Sequence, residues 1–165
     1  MRILGIDPAL TKLGYGIIEI KDNRINYVHS GLITTTPKET MPQRLAKISE
    51  DLSNIITVWQ PAALAMEETF VNKNPTTSLK LAMVRGVIMA LAGGLGFELY
   101  EFKPNAIKKA LVGSGHAEKE QIKRMAELLI TGVQKLNSFD EADALAVAYT
   151  YHVHNPVAIN IISKT

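Results

Sequence analysis

Apolar and polar positions change period several times along the chain, and each change marks an element. Arg2–Ile6 is a short, mainly apolar run of the kind that fills a buried central strand, and it ends on Asp7 and Pro8. Pro8 has no N–H to give a ladder, so the strand stops there. Gly14–Ile20 reads as a second strand, Lys21–Arg24 as a polar turn and Ile25–Thr34 as a third strand, together an antiparallel meander. Thr40 can cap a helix with Pro42 in its first turn, and Leu45, Ile48, Leu52, Ile55 and Ile56 recur at helical spacing up to about Trp59. Beyond Pro61, Ala62–Met66 is a fourth strand ending in Glu67 and Glu68. Asn74-Pro75 opens a second helix that carries Leu79, Ala82, Met83 and Val87 and stops near Gly93-Gly94. Phe97–Phe102 reads as a fifth strand, Pro104–Leu111 as a short helix, Gly113-Ser114-Gly115 as a turn, Ala117–Ile130 as a basic amphipathic helix and Phe139–His154 as a last helix. Three strands followed by helix–strand alternation predict an α/β fold with a five-stranded mixed sheet flanked by helices. The expected layout is one domain over residues 1–165, with a short C-terminal tail from about 155.

Composition narrows the picture only a little. The chain is 47% hydrophobic and 21% charged, as expected for a globular domain and not for a disordered one. With no cysteine it can carry neither a disulfide framework nor a thiolate metal site, which fits a cytoplasmic protein. No signal peptide and no membrane span are expected. A net charge of +2 permits a nucleic-acid partner without demanding one.

The acids change the picture more. Asp7 closes the first strand, and Glu67 closes the fourth. Asp140 and Asp143 are three residues apart, so on a helix they share a face, and Ala142, Ala144, Ala146 and Ala148 leave that helix slim enough to lie close to a sheet. Acids delivered from two strand ends and one helix face can build an oxygen cage of the kind Mg²⁺ takes, a few carboxylates with positions left for water and phosphate. Plainer readings stand beside this one. Ser138-Phe139-Asp140-Glu141 also fits a capping box, and Asp140 also suits a helix N-terminus. Asp7 can simply start a turn, and Glu67 and Glu68 can be a surface pair. The strand–Asp–turn–glycine opening suits a phosphate loop as well as a metal carboxylate.

Taken together, Gly5-Ile6-Asp7-Pro8, Gly14-Tyr15-Gly16, Ala65-Met66-Glu67, Phe70 with Lys73-Asn74, Ser78–Leu81, Arg85-Gly86, Ala117-Glu118-Lys119 and Asp140–Ala146 resemble the RuvC family of bacterial Holliday junction resolvases. The resemblance runs in order from Arg2 to about His154. It implies an RNase H-like fold and Mg²⁺-dependent nicking of two strands at a four-way DNA junction, in recombination and repair. It places the catalytic, metal-holding acids on Asp7, Glu67, Asp140 and Asp143, with two Mg²⁺ per site and Mn²⁺ as a substitute. It further implies a homodimer, the branch-migration motor proteins RuvA and RuvB as partners, and a cytoplasmic, nucleoid-associated location. Ala9 departs from the family, which usually has Gly after Asp-Pro; that alters the turn and removes no ligand.

The resemblance also favours Phe70, in the loop after Glu67, as an aromatic that stacks on an unpaired base; without it, Phe70 serves equally well as a core anchor. Lys73, Lys80, Arg85, Lys103, Lys108, Lys109, Lys119, Lys123 and Arg124 offer cations to phosphate. Lys108 and Lys119 match family positions that support the active site and the DNA backbone, so the DNA-binding set is Phe70, Lys73, Lys108 and Lys119. Three other classes compete: an ATP-binding domain of the actin and sugar-kinase type, an RNase H-like enzyme acting on RNA, and a junction-binding module with a dead site. The first needs a second such domain, and the intact set of acids argues against the last.

Overall fold

The computed structural model describes residues 1–68 and 74–155. Ten elements follow in order: β1 Arg2–Asp7, β2 Lys12–Lys21, β3 Arg24–Thr34, α1 Met41–Trp59, β4 Ala63–Glu67, α2 Pro75–Gly94, β5 Leu99–Phe102, α3 Pro104–Val112, α4 Lys119–Leu129 and α5 Phe139–His154. The sheet order is β3-β2-β1-β4-β5. β1 pairs antiparallel with β2 and parallel with β4, and β4 pairs parallel with β5, so the sheet is mixed as expected. β2 starts two residues before Gly14, because Lys12 and Leu13 pair with Thr34 and Ile33 of β3. The polar turn between β2 and β3 places Asp22 and Asn23 at φ 52° and 58°, the left-handed pair that matches the twist of a tight hairpin.

Local capping follows the sequence. The Thr40 N–H donates to Gln43 Oε1 at 2.8 Å, and Asn74 Oδ1 accepts from the Thr76 and Thr77 N–H groups at 3.0 and 3.3 Å. Gly113, at φ 77°, ends α3 in the left-handed conformation that glycine adopts at little cost, so Gly113–Gly115 is a helix stop and turn.

The core lies on both faces of the sheet. One face carries Ile3, Ile18, Ala63 and Ala65 beneath α3, α4 and α5. The other carries Leu4, Ile6, Leu13, Ile17, Leu64 and Met66 beneath α1 and α2. Helix α2 buries Val84, Ile88 and Ala92 and leaves Leu79, Met83 and Met89 exposed at 59%, 39% and 41%. At twenty residues α2 is long and apolar enough, by length and composition alone, to cross a bilayer, which corrects the expectation that no run is. Its buried stripe, Val84, Ile88 and Ala92, joins the apolar cluster that α1 forms on this face of the sheet.

Candidate metal and DNA site

The close approach of α5 to the sheet is set by three glycines. Gly5 of β1 pairs with Gly16 of β2, and Asp7 pairs with Gly14. A Cβ on Gly14 would stand 2.1 Å from the Asp140 carbonyl oxygen, one on Gly5 2.1 Å from that of Ala144, and one on Gly16 2.7 Å from Leu145 Cγ. No real Cβ tolerates such contacts against backbone, so the glycines form a floor on which α5 rests directly. This settles the ambiguity of the glycine-rich second strand: Gly14 and Gly16 make room for a helix, not for phosphate. The first turn of α5 therefore sits over the end of β1, and Asp140 and Asp143 enter the neighbourhood of Asp7.

Strand alternation delivers the fourth acid. Ala63 and Ala65 lie on the α5 face while Leu64 and Met66 lie on the α1–α2 face, so Glu67 falls on the α5 side. Burial pushes the Asp7 carboxyl up to about 8, helped by the charges of Glu67, Asp143 and Asp140 and opposed by Lys119. Burial also pushes Glu67 up to about 7; Asp143 adds to this, and Lys119 and Lys108 oppose it. Burial raises Asp143 too, against the pull of Lys119. Lys119 Nζ stands 3.6 Å from Asp143 Oδ2. The four acids thus share one field with Lys108 and Lys119, the two lysines singled out from the sequence.

Burial is the main cause of those raised values and neighbouring acids add to it; a bound divalent cation would favour the charged forms of such carboxylates. The donor set is all oxygen, as Mg²⁺ requires. Among the described residues no three acid or imidazole groups stand as a closed ligand cage, so the carboxylates offer a neighbourhood and not a finished coordination sphere. Phe70 and Lys73 lie outside the described residues.

The capping-box reading of Asp140 is half met. Ser138 Oγ accepts from the Glu141 N–H at 3.1 Å. The Glu141 carboxylate does not complete the box; it accepts from Ser30 Oγ of β3 at 2.8 Å, and Ser30 in turn lies 3.1 Å from the Tyr27 hydroxyl. This strap ties the start of α5 to the edge strand, and residues 111 positions apart give no sequence signal for it. Arg44 was missed as well. It is 7% exposed, and its guanidinium donates to Thr35 Oγ1 at 2.7 Å, Thr11 Oγ1 at 3.0 Å and the Leu10 carbonyl at 3.4 Å, fixing the turn that follows Asp7. An Arg in an otherwise apolar helical stripe was the available clue.

Comparison with known proteins identifies the family. The family model described as Crossover junction endodeoxyribonuclease RuvC matches residues 3–151. The chain is 48% identical over 153 residues to the crossover junction endodeoxyribonucleases RuvC of Rickettsia akari and Rickettsia felis, covering 93% of this chain and 98% of each of those proteins. Among solved structures, Thermus thermophilus RuvC in complex with a Holliday junction substrate superimposes with a TM-score of 0.88 at 28% identity, over 96% of each chain. The yeast mitochondrial Holliday junction resolvase Ydc2 shares the fold, with a TM-score of 0.65 at 16% identity over 90% of this chain and 76% of that one. With the family model spanning most of its length and relatives this similar, the chain belongs to the RuvC family of crossover junction endodeoxyribonucleases.

Proposed function

We propose that this protein resolves four-way (Holliday) DNA junctions in recombination and repair, by paired Mg²⁺-dependent hydrolysis of one phosphodiester in each of two strands. The observation that carries the reading is the seating of α5 on Gly5, Gly14 and Gly16, which brings Asp140 and Asp143 to the strand ends that bear Asp7 and Glu67. Those four carboxylates would hold two Mg²⁺, with Mn²⁺ able to substitute. Bound there, the metal supplies positive charge to the attacking and leaving oxygens of a phosphodiester displacement. The protein's own part is to hold the acids in a half-buried cluster and to bring phosphate to it. Lys119, with its side chain 65% exposed, and the half-buried Lys108 stand beside the acids, where a cation that balances carboxylates can also take a backbone phosphate. Phe70 and Lys73 complete the proposed DNA-binding set.

Two symmetric nicks call for two active sites, and a homodimer with a two-fold axis supplies them. The exposed apolar face of α2 suits that contact: Leu79, Met83 and Met89 alternate with Ala82, Gly86 and Ala90, small residues that let a second copy of the helix come close. Sedimentation should show a dimer at micromolar concentration, and Met83→Lys should shift it to monomer. The same reading makes the protein cytoplasmic and nucleoid-associated, working with the motor proteins RuvA and RuvB. The test of the function is incubation with a synthetic four-way junction, a linear duplex and an RNA duplex, each with and without Mg²⁺. Symmetric cuts in the junction alone, only with metal, are expected; cleavage of RNA in preference would overturn the reading.

A further inference from the structure

Helices α4 and α5 run past each other in opposite directions, and their side chains meet in two rungs. Lys119 and Lys123 are one turn apart on α4, and Phe139 and Asp143 are one turn apart on α5. The inner rung is Lys119 Nζ on Asp143 Oδ2 at 3.6 Å. The outer rung is Lys123 Nζ over the Phe139 ring, 5.8 Å from its centroid. Phe139 is the residue before Asp140, yet it is 37% exposed, whereas most of the other large apolar side chains on α5 are buried. A partly exposed ring one rung from the Lys119–Asp143 pair, with an ammonium beside it, presents an aromatic surface and a cation together. That pairing suits a nucleotide: a base has a π-face to stack, and its phosphate takes the cation.

We infer that Phe139 and Lys123 form a nucleotide subsite next to the scissile phosphate, Phe139 stacking on a base of the cleaved strand and Lys123 holding its backbone phosphate. The subsite rests on the junction-cleaving function proposed above and adds to it a contact distinct from Phe70. One helical turn, about 5.4 Å along α5, separates Phe139 from Asp143, which puts the ring within a nucleotide's reach of a phosphate held at the acids. Tethering between α4 and α5 is the competing account of the pair. It predicts a loss of stability when either member is removed, and no particular effect on a bound base.

The experiment uses the full chain and a four-way junction carrying 2-aminopurine at positions flanking the mapped cut, with Mg²⁺ withheld so that the strand stays whole. Wild-type protein and Phe139→Tyr should quench one of these positions. Phe139→Ala should lose most of that quench, cut about tenfold more slowly below saturation once Mg²⁺ is added, as the loss of one stacked base implies, and melt within a few degrees of wild type. Lys123→Met should lower the salt dependence of binding by about one phosphate contact. Should Phe139→Ala fail to fold, Phe139→Leu keeps the packing without the ring, and loss of quench in that variant supports the subsite equally. Full quench and unchanged cleavage in whichever of the two variants folds would overturn it. A wild-type protein that fails to cut the junction would sink the function and the subsite together, whereas a wild type that cuts beside an unaffected Phe139→Ala sinks the subsite alone.

Discussion

The two faces of the sheet solve the packing problem in opposite ways. Under α1 and α2, β1 and β4 present Leu4, Ile6, Leu64 and Met66, large side chains that hold the helices off the strands and fill the space between. Under α5, the same strands present Gly5, Ala63 and Ala65, and β2 adds Gly14 and Gly16, so the helix backbone comes down onto the strand backbone. The first arrangement buries more apolar surface for each side chain. The second also buries Ile3, Ile18 and Leu145, but over the glycines it fixes the height of α5 by backbone contact, which flexible side chains cannot do. It is the second face that carries the acids. A carboxylate cluster needs its members held close against their repulsion, and a helix resting on glycine has no room to retreat except by leaving the sheet.

The largest effect expected from breaking that face is loss of the acids themselves. Asp7→Asn, Asp140→Asn and Asp143→Asn should each abolish junction cleavage and leave junction binding largely intact, because binding rests on lysine and arginine against phosphate. Glu67→Gln should behave the same way at saturating Mg²⁺, whereas Glu68→Gln should keep most of its activity. A gel of cleaved junction beside a filter-binding curve checks all five. Near wild-type cutting by any of the first four would remove that carboxylate from the metal site.

Next comes a pair of packing changes, one on each face. Gly14→Ala drives a Cβ into the Asp140 carbonyl, and overpacking of this kind costs about 1–3 kcal/mol. Leu64→Ala opens a cavity on the opposite face and costs about 2–5 kcal/mol. If the faces differ as argued, the variant that loses more stability loses less activity. Leu64→Ala should cut at nearly the wild-type rate per folded molecule, and Gly14→Ala should cut at least tenfold more slowly while still melting cooperatively. Denaturant unfolding and single-turnover cleavage on the same preparations measure both. Equal activity losses would mean that the height of α5 does not set the geometry of the acids.

Sequence reading went far on this molecule where the information is local. The ten elements follow from periodicity, proline and glycine, with ends moved by a residue or two where partners such as Thr34 extend β2. The alternation of Ala63, Leu64, Ala65 and Met66 is local too, and it agrees with the faces on which those side chains lie. What stayed hidden depends on which element lies above which. Gly14 looks the same in a phosphate loop and beneath a helix until α5 is known to cross it. Glu141 looks like the second half of a capping box until Ser30, far away in sequence, takes its carboxylate. Arg44 looks like one polar residue in a helical stripe until Leu10, Thr11 and Thr35 close around it. Phe70 and Lys73 stand where the sequence analysis left them.

The pH dependence of stability should separate the faces without any mutation. Asp7 and Glu67 are raised to about 8 and about 7 in the folded protein, chiefly by burial and then by neighbouring acids, while the unfolded chain titrates near the ordinary carboxylate values. Between those limits the folded state binds more protons than the unfolded state. Without metal, therefore, the contribution of these groups to stability is fully present below about pH 4 and is lost as pH rises towards 8. Mg²⁺ should remove most of that slope, and Asp7→Asn should flatten it without metal. Thermal melts from pH 5 to pH 8, with EDTA or with Mg²⁺, read this directly; a metal-free protein that grows more stable over that range would show that the acids are not clustered.

The smallest expected effect concerns what holds α5 in place at its start. The helix N-terminus has two restraints, the Gly14 floor below it and the Ser30–Glu141 strap beside it. The strap is one hydrogen bond to a carboxylate among half-buried groups that water can reach, with the Tyr27 hydroxyl 3.1 Å from Ser30 Oγ. Ser30→Ala should therefore cost about 1 kcal/mol or less. If the floor sets the height of α5, the strap governs only how often the first turn frays. Asp140 then stays in place in most molecules, and Ser30→Ala cuts within about threefold of wild type. Hydrogen exchange at the first turn of α5 would rise while that of the sheet stays unchanged. A cleavage loss as large as that of Gly14→Ala, with the stability change still small, would reverse the order of the two restraints and make the edge strand, not the glycine floor, the element that positions Asp140.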